Sequence, residues 1–360
     1  MIVLYILLAI LVLLLMIMIH EFGHYVVGRA LNFKITEFSI GFGKAIWQKT
    51  NKRGEKISLR IFPLGGFCSF FGEDTDGEDT NPESFCNQKP WKRILVYIAG
   101  AGFNFLSAVI FSFILLVTVG YGNVYAIDYV NPSFTQTYNE FSKGDIIYEI
   151  NDEKINYVWD KTVENILGEV NEGDVIKIKY KDIETGNILI KEFTAEKHQA
   201  IDQNSKLVFD ETGKPVYTTG TGLSMHLSSE RLSFGQALLQ CIPFSFGLAW
   251  MVLKAFWLLL TFQMPITAMG GTITTITYMA NTLGQSFTSI LIFLPLIAAN
   301  LAVFNLLPVP ALDGSHVVFT LIEWIRGKPI NRNVEAWIHF VGLIVLLAFV
   351  VIIDIIHFFV

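Results

Sequence analysis

No charged side chain occurs from Ile2 to Ile19, and this run passes directly into His20-Glu21-Phe22-Gly23-His24. A helix through both stretches covers the roughly 30 Å hydrocarbon core of a bilayer. At that depth every backbone amide and carbonyl must be paired within the chain, which restricts a spanning segment to a helix or a closed barrel. A cleaved secretory signal would start with basic residues, carry a shorter apolar run and end at small residues. The segment has none of these features and reads as a retained span.

The rest of the chain extends the pattern. Of its 360 residues, 52% are hydrophobic and 16% charged, outside the usual range of soluble domains. Further spans are expected at about 94–120, 286–312 and 336–357. The expected fold class is an α-helical multispanning membrane protein with four transmembrane helices. Arg29 and Lys34 follow the first span, Lys89, Lys92 and Arg93 precede the second, and Arg326, Lys328 and Arg332 separate the last two. The positive-inside rule places all three groups in the cytoplasm. Residues 121–231 hold 19 acidic and 11 basic side chains, a net charge of −8 against −6 for the whole chain, and read as a separate domain facing water on the other side. That acidity argues against nucleic acid as a partner.

Residues 238–262 are apolar enough for a fifth span, but a fifth crossing would put Asp313 at the opposite membrane face from His20. They are therefore expected to lie in the outer interface as an amphipathic helix, with Trp250, Lys254 and Trp257 at the headgroups. Cys68, Cys86 and Cys241 read as thiols that fill apolar space.

Ionisable groups at bilayer depth cost on the order of 2.5–3.5 kcal/mol each, so a chain that keeps His20, Glu21 and His24 there has a use for them. Four residues apart on one helix face, the two imidazoles can share a metal ion while the glutamate serves as a general base. Catalytic zinc takes a third protein ligand and keeps a position open. Asp313 is the outstanding candidate, because it ends a 58-residue uncharged stretch within N-L-L-P-V-P-A-L-D-G-S-H, Asn305 to His316. Pro308 and Pro310 break the helix there, and broken backbone at membrane depth is tolerated where it lines a cavity or is buried in protein.

Together, H-E-F-G-H on the first span and N-x-x-P-x-P-x-x-D-G-x-H on the third resemble the site-2 protease family, in its sigma-E-regulator-like bacterial branch with one PDZ domain between the second and third spans. The resemblance covers essentially the whole chain. It implies a zinc-dependent intramembrane endopeptidase of the bacterial plasma membrane. Such an enzyme cuts single-pass membrane proteins, such as anti-sigma factors after a first cut or remnant signal peptides, by regulated intramembrane proteolysis. The resemblance further implies that His20, His24 and Asp313 bind Zn2+ near the cytoplasmic side and that Glu21 polarises the attacking water. Asn305 is implied to hold the substrate or its developing oxyanion, and Asn300 matches a second family asparagine. His316 is expected at the cytoplasmic mouth, and His339 and His357 as interfacial or packed residues.

Residues 34–72 alternate apolar and polar side chains around Asn51-Lys52-Arg53-Gly54 and read as a short antiparallel sheet. In the family such a sheet dips into the membrane beside the metal and offers its edge to an unwound substrate strand. Gly65, Gly66 and Phe67 would lie along that edge, the glycines permitting close approach. Ala99 to Asn104, A-G-A-G-F-N, resembles the family's A-G-P-x-x-N, with Ala101 in the usual proline position. Ser315, where relatives often have glycine, is a second departure. Gly100 and Gly102 read as packing residues, and Asn104 as a support for the site. Phe141 to Ile155 resembles a PDZ signature, so the chain divides into 1–120, a PDZ domain at 121–197, a β-rich appendage at 198–231, an interfacial helix and connecting loop at 232–284, and a second membrane half at 285–360. A PDZ domain can capture a peptide ligand or act as a size filter. The rival class is a catalytically silent scaffold that binds membrane helices. An ion transporter would show inverted repeats, and the sequence has no such symmetry.

Overall fold

A computed structural model describes residues 2–73, 81–132, 134–200, 206, 208–210, 212–268 and 270–359. They form two compact units, Met1–Ile114 with Cys241–Val360, and Leu115–Gln240. The first unit opens with α1 (Ile2–Ala30), which carries the uncharged run and the H-E-F-G-H motif as one helix. It ends in a Schellman-type turn: Asn32 takes the left-handed conformation (φ 60°) and the Phe33 amide reaches back to the Gly28 carbonyl at 2.9 Å.

Two antiparallel strands follow, β1 (Ile35–Thr50) and β2 (Lys56–Phe70), joined at the expected Asn51–Gly54 turn. The ribbon is folded over on itself. Phe38 pairs with both Cys68 and Ile57, and Ile40 with both Gly66 and Leu59. The first half of β1 is therefore covered on both edges, and residues 66–70 form an outer strand of the sheet. Ser39 and Ser58 are buried within it, and Arg60 ties the fold by donating to Glu37 Oε1 at 2.6 Å and to Ser39 Oγ at 3.0 Å. The helix α2 (Pro90–Thr118) then starts with proline, whose missing amide is harmless at that position.

The second unit is built on a sheet of order β10-β3-β4-β6-β7, with β5 paired to β4. Its strands are β3 (Val124–Val130), β4 (Ile146–Ile150), β5 (Glu153–Lys154), β6 (Val175–Lys181), β7 (Ile188–Thr194) and β10 (Leu223–Ser228), with the short helices α3 (Thr135–Tyr138) and α4 (Val163–Leu167) between them. Ile127, Ile147, Ile150, Ile178, Tyr180 and Phe193 form its core. The Gly144-Asp145 pair of the recognised signature makes the turn into β4. Gly144 has φ 99°, and the buried Asp145 carboxylate accepts from the Ser142 and Ile183 amides. Asn151 and Asp152 both have positive φ (51° and 64°), the two-residue turn that a right-twisted hairpin favours.

The expected boundary at 197 is corrected. The strand β10 belongs to this sheet because Leu223, Met225 and Leu227 alternate onto its core, while β8 (Glu196–Gln199) and β9 (Tyr217–Gly220) pair as a separate two-stranded ribbon.

Among the described residues five α-helices follow: α5 (Phe234–Leu260), α6 (Thr272–Gln285), α7 (Ile290–Leu306), α8 (Asp313–Arg326) and α9 (Arg332–Phe359). Among the described residues, four helices are long and apolar enough to cross a membrane, but the set differs from the one expected. The helix α5, expected to lie amphipathic in the interface, is one of them. The third expected span, 286–312, is not one helix. The 17-residue α7 rises only about 25 Å, and the prolines at 308 and 310 hold the next residues out of helical conformation. Asp313 therefore begins a new helix. The expected connecting loop before 284 contains α6, which buries Met279, Ala280 and Leu283 on one face. Its first turn is capped by Asp354 of α9, which accepts from the Ile273 and Thr274 amides at 3.1 and 3.0 Å.

The start of α2 is fastened to α8 by Arg93, 1% exposed, which donates to Glu323 at 2.5 Å. Removing one partner of a buried pair leaves the other charge uncompensated, at a cost of about 3–5 kcal/mol. Glu323→Ala is expected to lower the detergent unfolding midpoint markedly, whereas the exposed Glu83→Ala should leave it near wild type.

Candidate metal centre

His20 and His24 are buried one turn apart on α1, with ring centroids 4.8 Å apart. Asp313, the first residue of α8, brings Oδ2 to 3.0 Å from His20 Nε2 and 3.3 Å from His24 Nε2, and the two nitrogens are 3.2 Å apart. These three atoms form a nearly equilateral triangle. Donors 2.0–2.2 Å from one ion at tetrahedral angles stand about 3.4 Å apart, so the triangle needs little change to cap a zinc ion. Asp313 Oδ2 is also buried without a hydrogen-bond partner of acceptable geometry. A carboxylate oxygen so placed, facing two imidazoles, fits a cation, and two imidazoles with one carboxylate suit zinc.

Neighbouring groups set the tautomers this requires. His24 Nδ1 donates to the Val96 carbonyl at 2.8 Å, which leaves the lone pair on Nε2, facing the triangle. His20 Nδ1 lies 3.3 Å from the Asn104 side-chain nitrogen, while Asn104 Oδ1 is buried without a partner. Amide orientation is assigned from the hydrogen-bond network, and turning this amide over satisfies both groups. Oδ1 then accepts from His20 Nδ1–H, and the His20 lone pair also sits on Nε2. Replacing Asn104 by Leu should weaken zinc binding by about 10- to 100-fold, as for other lost hydrogen-bond partners of ligands. Competition with a chromophoric chelator measures this.

Close contact of α2 with α1 makes the centre compact. A Cβ on Gly23 would fall 2.4 Å from the Ala99 carbonyl oxygen, and one on Gly100 would fall 2.4 Å from His24 Nε2 and 2.6 Å from His20 Cε1. A Cβ on Gly102 would meet nothing within 4 Å. The two glycines, alike in sequence, thus separate: Gly100 bounds the imidazoles and Gly102 does not. At the other end, a Cβ on Gly314 would strike the Leu307 and Leu306 carbonyl oxygens at 2.3 and 2.4 Å, so Asp-Gly is the pair that lets α8 start against the end of α7.

Glu21 points toward β2. A Cβ on Gly66 would lie 3.4 Å from Glu21 Cγ and 2.8 Å from the Ser39 carbonyl oxygen. The outer strand 66–70 therefore runs beside the motif helix. Gly65 has φ 128°, a conformation that glycine alone adopts freely, and Phe67 stacks with Phe42 at 6.3 Å and lies under Arg60.

The two asparagines expected near the site diverge. Asn305, in the last turn of α7, donates to the Leu301 carbonyl at 3.0 Å, whereas Asn300 is exposed. Five residues apart on a helix, they face directions about 140° apart and lie on different faces of α7. A second gathering, His316, Glu335 and His339, was not anticipated. The rings of His316 and His339 stack at 4.0 Å, but His339 Nδ1 accepts the Ala311 amide at 3.1 Å. A neutral imidazole whose Nδ1 accepts carries its proton on Nε2 and has no lone pair left for a metal.

The profile of peptidase family M50 matches residues 8–349. A Campylobacter jejuni protein with a zinc-metalloprotease name is 29% identical over 92% of this chain and 87% of its own length. A Nostoc protein similarly named is 29% identical over 94% and 92%. Protease RseP of Yersinia pestis is 24% identical over 92% of this chain and 93% of its own.

Proposed function

Because this chain belongs to peptidase family M50, we propose that His20, His24 and Asp313 hold its zinc ion and that Glu21 carries the proton in peptide hydrolysis. The protein is a zinc metalloprotease of the site-2 type and an integral membrane protein. The observation that carries the residue assignment is the triangle of donor atoms, with the partnerless Asp313 Oδ2 at one corner.

When bound, zinc would act as a Lewis acid toward the scissile carbonyl and lower the pKa of the attacking water. The chain's own residues supply the rest. Glu21, beside the imidazoles on α1, takes the water proton and returns it to the amine leaving group. Val96 and Asn104 hold the imidazoles in the tautomers that coordinate. Asn305 lies on the last turn of α7, six residues before the bend into Asp313, and is proposed to steady the substrate carbonyl once released from Leu301.

Substrates are proposed to be transmembrane segments of single-pass proteins, including anti-sigma factors after a first cut and remnant signal peptides. A helical segment hides its amides and must unwind before cleavage. An unwound strand laid along residues 66–70 would recover hydrogen bonds by strand addition. The Leu115–Gln240 unit is proposed to be a PDZ domain outside the cytoplasm, with the metal near the cytoplasmic face of the bacterial plasma membrane. Its antiparallel sheet and Gly-Asp turn support the PDZ reading, and the basic residues flanking the spans support the orientation.

Cleavage of a tagged single-span peptide by the purified protein, with and without a zinc chelator, tests the proposal. Chelator-sensitive cleavage is expected. A failure to cut a panel of spans while zinc stays bound would favour the silent scaffold.

A further inference from the structure

We propose that His339, on α9, is a positioning residue for the metal centre, acting through the backbone of Ala311 to place Asp313. The proposal rests on Asp313 as a zinc ligand. Between α7 and α8 the chain must turn sharply, and Ala311 turns it in the left-handed region with φ 79°. Glycine takes that conformation freely and alanine does not, so the turn persists only where its surroundings hold it. The Ala311 amide is held by His339 Nδ1 at 3.1 Å.

A second contact comes from the same helix one turn on. A Cβ on Gly342 would fall 2.3 Å from Pro310 Cβ and 3.0 Å from its carbonyl oxygen, so α9 lies directly against Pro310-Ala311. Two residues later the chain enters α8 with Asp313 as its first residue. Ser315 also closes the bend, donating to the Leu312 carbonyl at 2.7 Å. A shift of this loop moves Asp313 Oδ2 relative to the two imidazoles, which α1 carries and Val96 and Asn104 of α2 hold in place. His339 touches no metal donor itself, and its ring has no lone pair left for one. Its effect on the ion is confined to where Asp313 stands.

Asparagine places its Oδ1 about where histidine places Nδ1, whereas leucine fills similar space without an acceptor. Zinc affinity by chelator competition, and the visible spectrum of the cobalt-substituted protein, should be compared for wild type, His339→Leu, His339→Asn and Asp313→Asn. His339→Leu should bind zinc about 10- to 100-fold more weakly and alter the cobalt bands, with His339→Asn restoring both toward wild type. If His339→Leu binds as wild type, or if His339→Asn is as weak as His339→Leu, the positioning role is wrong. Asp313→Asn separates this from the underlying assignment: unchanged affinity there would overturn Asp313 as a ligand, whatever the His339 variants do.

Discussion

Glu21→Gln should lower cleavage by about 10²- to 10⁴-fold or more while the protein keeps one zinc ion per chain. The carboxamide has the size of the carboxylate, so the strand packed beside it at Gly66 need not move. What it lacks is a basic oxygen for the water proton. His20, His24 and Asp313 are untouched, and their donor atoms remain within 3.0–3.3 Å of one another. Loss of activity with retained metal separates proton transfer from metal binding. Loss of both would make Glu21 part of the metal site instead. Residual cleavage near the wild-type rate would remove it from the reaction.

Gly100→Ala should be nearly as damaging, by a different route. The added methyl would sit 2.4 Å from His24 Nε2 and 2.6 Å from His20 Cε1, well inside contact distance. The displaced atoms are ring atoms of the two ligands, and His24 is also held by its bond to Val96. One or both imidazoles must therefore leave the triangle, and zinc affinity should fall by more than about 100-fold, beyond the loss typical of a hydrogen-bond partner of a ligand. Gly102→Ala, two residues on, meets open space and should bind and cleave as wild type. Equal loss in both variants would mean that general packing of α2, not contact with the imidazoles, is what Gly100 serves.

These variants mark where the sequence was and was not legible. The histidine pair, Glu21 and Asp313 could be picked out because charged groups in apolar runs are costly, and each belongs to a compact motif. The turn at Asn51–Gly54 was legible because strand alternation frames it. Gly100 and Gly102 could not be told apart: one faces the imidazoles of α1 and the other open space, a property of packing. Val96 contributes a carbonyl, a group every residue has, so no sequence signal could select it.

The spans were legible in part. Pro308 and Pro310 mark the break that ends α7 within the uncharged 286–312, whereas α5, read as interfacial through a parity argument, is long and apolar enough to cross by length and composition. Residues 198–231 were read as β-rich, but the pairing of β10 with β3 was not legible because β3 lies almost a hundred residues earlier, and pairing at that distance leaves no local mark.

The most direct measurement is zinc K-edge absorption on the purified protein, alongside Asp313→Asn. With His20, His24 and Asp313 as ligands, the first shell should hold only nitrogen and oxygen at about 2.0–2.1 Å, with two imidazole signatures, and Asp313→Asn should lose most of its zinc. A sulfur scatterer near about 2.3 Å, or an unchanged spectrum and zinc content in Asp313→Asn, would contradict the assignment.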